Sequence, residues 1–402
     1  MSALLLRRAR VAGHDQPVDI LIAGSGRIER IAPHISAGVK TVDLGGRLAV
    51  PGLVDAHQHL DKTRTLRSVP NPEGTLLGAI NAFKAYAMRM DGGDIAARAE
   101  RTIAACLERG TVAIRTHVNV DPEAKLRGVE AMVALRERVR DRMRIQVVAF
   151  LTGGGTKAAN PGGEWLDQAM QMGADVVGLN PNHSDRPLAV LDMAFAVAER
   201  HGKPIDLHLD EHLDANRTYF LEVAKRTRAH GMAGKVVASH SSALSALEQA
   251  DAASVIDAFA EAGVGVVTLP AANLFLQGRD ATKLAPRGLT RVTELQRAGV
   301  TLAAASDNIQ DPFVPPGTGD LLEIARWALL AGHLGSNDLG RAFEMITSAP
   351  ARLMGLDGDY GVKAGARADL LITHAEDAPD LVASGPLQRT VLVNGRVVAG
   401  SL

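Results

Sequence analysis

Short apolar runs alternate with amphipathic stretches through most of the chain, and this alternation predicts its fold. Eight runs are almost continuously apolar, as strands buried on both faces of a parallel sheet are. They cover 53–60, 112–120, 145–152, 175–182, 204–212, 236–242, 264–270 and 300–308. Between them, apolar residues recur every three or four positions, as in helices, over 94–108, 126–140, 188–201, 219–230 and 254–262. Eight strands alternating with helices predict a (β/α)8 TIM barrel, with an open doubly wound α/β sheet as the alternative.

The first 50 residues have a different pattern. They read as short strands separated by turns, with an apolar run at 19–22 and a glycine pair at Gly45 and Gly46. We therefore expect a small antiparallel sheet in this region. Gly24 and Gly26 lack the third glycine and the following helix of a dinucleotide-binding loop, so we interpret them as part of a turn.

The composition argues against one broad class of function. The chain has 402 residues, with 44 Lys and Arg against 45 Asp and Glu. Such a balance does not favour binding to nucleic acid or to a membrane surface through bulk electrostatics. The N-terminus is unlike a secretory signal and no apolar stretch reaches 18 residues, so we expect a cytoplasmic protein. The single cysteine, Cys106, lies in a helical stretch and is expected to be buried.

The stretch PGLVDAHQHLD at 51–61 carries the first candidate chemistry. Alternate side chains of an extended strand lie on one face, so His57 and His59 are expected to point the same way and Gln58 to point away. Two imidazoles on one strand provide half of a metal site. A pair of surface histidines is the alternative for an isolated motif of this kind.

Other predicted strands also end in side chains that bind metals or transfer protons. These are Arg115 and His117, then His208, Asp210 and Glu211, then His240, then Asp307 and Asn308. Active sites of parallel barrels form at the carboxyl ends of the strands, where residues distant in sequence meet. We therefore expect these groups to converge on one site, although a structural histidine is the alternative at any single position.

Four motifs carry a resemblance to a known family. HQH at 57–59, HLDEH at 208–212, ASHSS at 238–242 and SDNIQDPFVPPGTG at 306–319 resemble the amidohydrolase superfamily, and within it the bacterial cytosine deaminase group. The similarity covers nearly the whole chain. The segment DYGVKAGARADLLI at 359–372, followed by VLVNGRVVAG, resembles the return strands of that family. The resemblance implies a small β-sandwich domain made of residues 1–50 and 351–402 and a catalytic barrel of residues 51–350.

The resemblance also implies a metal site. It assigns His57, His59, His208 and Asp307 as ligands of one divalent ion, and imidazole with carboxylate suits Zn²⁺ or Fe²⁺. Binuclear members of the superfamily use a modified lysine on a middle barrel strand. The runs 145–152 and 175–182 contain no lysine, so a single metal ion is expected.

The same resemblance implies roles for the catalytic residues. His240 corresponds to the histidine that orients the attacking water, and Asp307 takes the proton of that water. Glu211 resembles the proton shuttle, which protonates a ring nitrogen and then delivers a proton to the departing ammonia. The alternatives are that Glu211 is an exposed loop acid and that His240 is a core histidine.

Candidate substrate contacts are Thr152, Asn308 and Phe313. Asn308 and Phe313 lie where the cytosine deaminase group places residues that contact the ring, and Thr152 occupies the position of the glutamine that binds the substrate amide. A threonine cannot offer both a donor and an acceptor at the same reach, which makes cytosine itself a poor candidate. The glycines at 153–155 either leave room for a larger ring, such as a pterin, or form a plain flexible loop.

These features predict a metal-dependent aminohydrolase. It would remove the exocyclic amino group of a nitrogen heterocycle, such as a cytosine-like pyrimidine, a pterin or a triazine, through attack by metal-activated hydroxide, and release ammonia. Hydrolysis of a cyclic amide or removal of a substituted amine is the alternative within the same superfamily. A non-catalytic binding relative is disfavoured because all six metal-binding and catalytic residues are present. Analogy with related enzymes suggests a homo-oligomer.

Overall fold

The computed structural model describes residues 2–157 and 162–402. The strands are β1 (Leu4–Ala9), β2 (Val18–Ile22), β3 (Ile28–Ala32), β4 (Lys40–Asp43), β5 (Leu48–Pro51), β6 (Leu53–Gln58), β7 (Thr111–Val120), β8 (Arg144–Leu151), β9 (Val176–Leu179), β10 (Ile205–Leu209), β11 (Val236–His240), β12 (Gly265–Thr268), β13 (Leu302–Ala304), β14 (Leu370–Thr373), β15 (Arg389–Val393) and β16 (Arg396–Ala399). The helices are α1 (Leu76–Ala87), α2 (Gly92–Glu108), α3 (Arg127–Val139), α4 (Gly162–Gln171), α5 (Pro187–His201), α6 (Phe220–Ala229), α7 (Gln249–Ala262), α8 (Pro270–Leu276), α9 (Val292–Arg297), α10 (Leu321–Ala331), α11 (Leu339–Glu344), α12 (Ser348–Leu353) and α13 (Ala378–Ser384).

Strands β6 to β13 form a parallel barrel in chain order. The first and last strands meet through a parallel bridge between Gln58 and Asp307, where the Asp307 amide donates to the His57 carbonyl at 2.9 Å. Each of the eight apolar runs of the sequence overlaps one of these strands, so the predicted TIM barrel is confirmed. The open doubly wound sheet is wrong, because such a sheet reverses its strand order and this one does not.

The helices predicted from periodicity are present as α2, α3, α5, α6 and α7. Helix α2 shows why such helices form: Ile95, Ile103 and Leu107 lie on one face and are buried in the barrel core. The Asp91 side chain caps this helix by accepting from the amide of Asp94 at 2.9 Å. Cys106 is also buried on this face, as predicted, and burial raises the pKa of its thiol to about 12.

The terminal segments form two four-stranded sheets. The first has the order β3-β2-β1-β4 and the second the order β16-β15-β14-β5. The expected antiparallel sheet at the N-terminus is only partly correct, because β1 and β4 pair in parallel. Strand β5 leaves that sheet and pairs with β14, which joins the N-terminal and C-terminal segments.

The two small sheets share one apolar core. Leu6, Ile20 and Ile28 of the first sheet pack in the same cluster as Leu370 and Leu392 of the second. This packing of sheet on sheet is the β-sandwich part of the predicted fold. The residue boundaries given above for the two domains stay a prediction.

The segment with Gly24 and Gly26 connects strands β2 and β3, so its interpretation as part of a turn is confirmed. Gly26 has φ +83°, and a Cβ atom there would lie 2.3 Å from Oδ1 of Asn394. The glycine therefore allows close packing of two turns. Within residues 2–157 and 162–402, none of the helices is both long and apolar enough to cross a membrane.

Candidate active site

The four side chains expected to bind a metal ion converge at the carboxyl end of the barrel. Nε2 of His59 lies 3.2 Å from Nε2 of His208 and 3.2 Å from Oδ1 of Asp307. Nε2 of His57 lies 3.5 Å from the same carboxylate oxygen. All four side chains are buried. We refer to His57, His59, His208 and Asp307 as the ligand cluster.

The backbone explains how these side chains meet. His57 lies on β6 and His208 on β10, whereas His240 is the last residue of β11 and Asp307 follows β13. His240 and Asp307 have φ values of +64° and +59°, in the left-handed region that is uncommon for residues other than glycine. Such backbone conformations concentrate at functional sites, where the surrounding structure holds them in place.

Unsatisfied polar atoms show that the ligand cluster fits a cation. Nε2 of His57 and Oδ1 of Asp307, both in the ligand cluster, are buried and find no hydrogen-bond partner among the described residues. Leaving such an atom unpaired costs about 1–3 kcal/mol. Three members of the ligand cluster, His57, His208 and Asp307, have ligand atoms within 4.8 Å of one another, and the neighbouring His240, which is not a member, lies within the same distance. Imidazole nitrogens with one carboxylate oxygen form a suitable donor set for a divalent transition metal.

Burial favours the neutral form of the histidines in the site. It lowers the pKa of His57 and His208 well below the ordinary value, and the neighbouring imidazoles lower each pKa further. The pKa of His59 is also lowered, first by burial and then by the Lys62 ammonium group. Neutral imidazole is the form that binds metal ions, so this electrostatic environment favours metal binding.

Glu211 and His240 lie next to each other beside the ligand cluster. Oε1 of Glu211 is 3.6 Å from Nδ1 of His240, and Nε2 of His240 is 3.9 Å from Oδ2 of Asp307. Burial raises the pKa of Glu211 well above its ordinary value, and the Asp307 carboxylate raises it further. Glu211 is 7% exposed, so the alternative of an exposed loop acid is wrong.

A cavity opens above these residues. All three candidate substrate contacts, Thr152, Asn308 and Phe313, line it. Gly153 also lines it and belongs to a short 3-10 turn at Gly153–Thr156. The remaining lining residues are His59, Lys62, Leu76, Ile80, Phe83, Lys84, Ala87, Asn119, Asp121, Glu123, Phe150, Asn180, His183, His208, Glu211, His240 and Asp307.

Lys62 is the most prominent residue of the cavity that sequence reasoning missed. Its side chain is 3% exposed, and its ammonium group donates to Oδ1 of Asn119 at 2.7 Å and lies 3.0 Å from Nδ1 of His59. The rings of Phe83, Phe150 and Phe313 surround it at 5.5–6.0 Å. Its only signal in the sequence is its position three residues after His59, in a stretch that otherwise reads as a polar turn.

Two residues expected at the site lie elsewhere. Strand β7 continues to Val120, so Arg115 is in the middle of the strand and pairs with Asp206 at 2.8 Å instead of lining the cavity. Asp210 accepts hydrogen bonds from the amides of Tyr219 and the Asn182 side chain, which stabilise the loop after β10. His117 is close to the site but outside the cavity.

A parallel barrel with histidines, an aspartate and a buried glutamate at its strand ends defines a class of metal-dependent hydrolases. The sequence matches the amidohydrolase family over residues 40–162 and 71–399, and the chain belongs to this family. The expected membership of the amidohydrolase superfamily is thereby confirmed.

Similar proteins support the same assignment. The chain is 31% identical to pterin deaminase of Rhizobium rhizogenes (strain K84 / ATCC BAA-868) over 96% of this chain and 88% of that protein. It is 30% identical to N-isopropylammelide isopropyl amidohydrolase of Pseudomonas sp. (strain ADP) over 98% of this chain and 96% of that protein. The crystal structure of 5-methylcytosine deaminase from Klebsiella pneumoniae with 5-fluorocytosine superposes with a TM-score of 0.92 at 31% identity, covering 99% and 98% of the two chains.

These relatives confirm the predicted likeness to the cytosine deaminase group. Together with the family match, they make the chain a hydrolytic enzyme that acts on carbon–nitrogen bonds. The buried His and Asp residues of the site indicate a divalent metal ion as its cofactor.

Proposed function

We propose that the protein removes an exocyclic amino group from a nitrogen heterocycle and releases ammonia. The observation that carries this proposal is the buried carboxyl of Glu211, which lines the cavity and whose pKa is raised well above its ordinary value. A carboxyl that keeps its proton at neutral pH can act as a general acid toward a ring nitrogen. Pterin deaminase and 5-methylcytosine deaminase are named for reactions of this kind.

In this proposal His57, His59, His208 and Asp307 hold one divalent ion, either Zn²⁺ or Fe²⁺. When bound, such an ion activates water as a nucleophile at neutral pH. Asp307 accepts the proton of the attacking water, and its raised pKa, caused by burial, makes it a better base than an exposed aspartate. His240 orients the water through its Nε2 atom, which is free of hydrogen bonds to the described residues.

Glu211 then transfers protons on the substrate side. It donates its proton to the ring nitrogen beside the attacked carbon, then takes up the second proton of the attacking water and passes it to the departing amine. The proton held by Asp307 afterwards returns Glu211 to its acid form. Its contact with His240, at 3.6 Å, keeps the acid close to the position of the attacking water.

The hydrogen bonds of Asn308 define one requirement for the substrate. Its Nδ2 atom donates to Oδ2 of Asp311 at 2.6 Å, which leaves its Oδ1 atom to accept from the substrate. The Lys62 ammonium group can in turn donate to a ring carbonyl or an unprotonated ring nitrogen. We therefore infer a ring that offers an N–H group toward Asn308 and an acceptor toward Lys62.

The cavity also favours a second candidate reaction, the release of a substituted amine. Four apolar residues of α1, Leu76, Ile80, Phe83 and Ala87, line the cavity, together with the charged Lys84. An alkyl substituent on the leaving nitrogen would bury apolar surface against these apolar residues. N-isopropylammelide isopropyl amidohydrolase is a relative whose name describes such a substrate.

An amine-release assay tests both candidates. Protein loaded with Zn²⁺ or Fe²⁺ is incubated with cytosine, 5-methylcytosine, isocytosine, creatinine, aminotriazines, N-alkylaminotriazines and pterins, and ammonia and alkylamines are quantified separately. We expect release from at least one ring, with Glu211→Gln inactive on the same compound. Release of alkylamine alone would favour the second candidate. Metal-loaded protein that acts on none of these rings would contradict the proposal.

A further inference from the structure

A chain of buried hydrogen bonds runs from the barrel interior to the ligand cluster. Nη1 of Arg115 donates to Oδ2 of Asp206 at 2.8 Å, and Oγ of Ser239 donates to Oδ1 of Asp206 at 2.8 Å. Oγ of Ser239 lies 2.9 Å from Nδ1 of His57. All four side chains are almost completely buried. The residues come from three strands of the barrel, β7, β10 and β11, and reach His57 on β6.

The directions of these hydrogen bonds fix the tautomer of His57. An ionised carboxylate can only accept, so the Ser239 hydroxyl uses its single proton toward Asp206. Its oxygen must then accept from Nδ1 of His57, which places the proton of the neutral imidazole on Nδ1. The lone pair is consequently on Nε2, the atom that lies 3.5 Å from Oδ1 of Asp307 in the ligand cluster.

Arg115 holds the far end of this chain rigidly. Its Nε atom donates to Oε1 of Gln146 at 3.0 Å and its Nη2 atom to the carbonyl of Leu353 at 2.9 Å. Three separate partners therefore fix the guanidinium group, which in turn fixes the carboxylate of Asp206. A rotation of Asp206 would break its ion pair with a fully buried cation.

Ligand atoms of His57, His117 and Asp206 also lie within 4.8 Å of one another, which suggests a second metal site. Two observations argue against that interpretation. Arg115 already neutralises Asp206, and the rings of His57 and His117 are stacked, with centroids 3.8 Å apart and an angle of 23° between them. The in-plane lone pairs of stacked rings run side by side and do not converge on one ion. His117 instead packs on the face of His57 and limits the tilt of its ring.

We propose that Arg115, Asp206 and Ser239 are positioning residues that set the tautomer of His57 and thereby the affinity of the ligand cluster for its metal ion. The inference rests on the proposed role of His57 as a ligand. Groups that orient a ligating histidine typically change metal affinity by about 10–100-fold when they are removed. Loss of the Ser239 hydroxyl frees His57 to carry its proton on Nε2, where it would block binding.

Metal affinity is the first readout. Metal-depleted full-length protein is titrated with Zn²⁺ in competition with a chromophoric chelator, and the Kd is compared among the native protein, Ser239→Ala and Ser239→Thr. We expect Ser239→Ala to raise the Kd by about 10–100-fold and Ser239→Thr, which keeps the hydroxyl, to restore most of the affinity. Ser242→Ala is the matched control, because the hydroxyl of Ser242 is buried without a hydrogen-bond partner among the described residues.

Circular dichroism and thermal unfolding of the metal-free variants separate a folding defect from a change in affinity. Native-like Zn²⁺ binding by a folded Ser239→Ala variant would overturn the proposal. Native protein that binds no Zn²⁺ would overturn both this inference and the metal site. If Ser239→Ala weakens Zn²⁺ binding but the loaded native protein releases no amine, the positioning role stands and the proposed reaction fails.

Neutron diffraction of metal-free native crystals tests the tautomer without any substitution. We expect deuterium on Nδ1 of His57 and none on Nε2. Deuterium on Nε2 alone would overturn the proposal, whatever the behaviour of the variants.

Discussion

Oε1 of Glu211 lies 3.6 Å from Nδ1 of His240, and both side chains are buried beside Asp307. The proposed acid of the reaction and the residue proposed to orient its water are therefore in direct contact. Burial lowers the pKa of His240 to about 4, so this imidazole is neutral at the pH where Glu211 still carries its proton. A neutral imidazole is a very weak acid, so in the proposed reaction the carboxyl is the proton donor of this pair.

Replacing Glu211 by Gln should abolish proton transfer while leaving the metal site intact. The amide keeps the size of the side chain but cannot donate an acidic proton, so kcat for amine release should fall about 10²–10⁴-fold. The metal content, measured by elemental analysis, should stay at the native value because Glu211 is outside the ligand cluster. A variant that loses its metal would show that Glu211 acts mainly in metal binding.

Lys62 should control the pH dependence of the reaction through Glu211. Its ammonium charge lowers the pKa of Glu211, opposing the effects of burial and Asp307. The active form carries the proton, so activity should be present below the pKa of Glu211 and be lost as the pH rises through it. Removing the charge with Lys62→Met should raise that pKa and move the alkaline decline of kcat to higher pH.

Lys84→Met provides the control for this shift. Lys84 also lines the cavity but is exposed on α1, so its replacement should have little effect on the decline of kcat at high pH. Equal profiles for Lys62→Met and the native protein would contradict the electrostatic role assigned to Lys62.

Metal removal should destabilise the fold. A ligand that binds only the folded state at a free concentration of one hundred times its Kd adds about 2.7 kcal/mol to the free energy of unfolding. Extensive dialysis against a chelator should therefore lower the Tm by several degrees, and added Zn²⁺ should restore it. An Asp307→Ala variant should unfold at the same temperature with and without Zn²⁺, because it lacks the carboxylate that contacts His57 and His59.

Most of the barrel could be predicted from the sequence because its signals are local. Continuous apolar runs and helical periodicity mark each strand and helix without reference to the rest of the chain. Strand ends are harder to locate, which is why Arg115 was expected at the site although β7 extends five residues beyond it. The parallel pairing of β1 with β4 was also missed, because it depends on long-range topology that short alternating runs do not encode.

The residues of the candidate site also fall into two groups, those that local sequence signals predict and those that depend on tertiary packing. His57 and His59 were recognisable because their spacing places them on one face of a strand. The location of Lys62 was not predictable, since a lysine is usually exposed and its burial depends on Phe83 and Phe313, which come from distant segments. The motif shows which side chains bind metal, whereas the walls of the cavity emerge only from tertiary packing.

Asp311 should affect substrate binding more than catalysis. Its carboxylate accepts from the amides of Phe313 and Val314 at 2.9 and 3.1 Å and from the Asn308 side chain at 2.6 Å. Asp311→Ala would free Asn308 to rotate and would leave buried N–H groups unpaired. We expect KM to rise about 10-fold or more with a smaller change in kcat, the expected pattern when ground-state contacts are lost. A variant whose kcat falls while KM is unchanged would contradict this role.

The apolar face of α1 should decide the size of the substituent that the enzyme accepts. Ile80 lines the cavity, so Ile80→Trp would fill part of it, whereas Leu77 on the same helix is 66% exposed and does not line the cavity. Ile80→Trp should lower kcat/KM for N-alkylated substrates by about 10-fold or more relative to the unsubstituted amine, since an overfilled pocket excludes bulk. Leu77→Trp should leave this ratio unchanged. If Ile80→Trp lowers kcat/KM equally for N-alkylated and unsubstituted substrates, the alkyl group does not bind against this face of α1. That result would remove the main support for substituted-amine release.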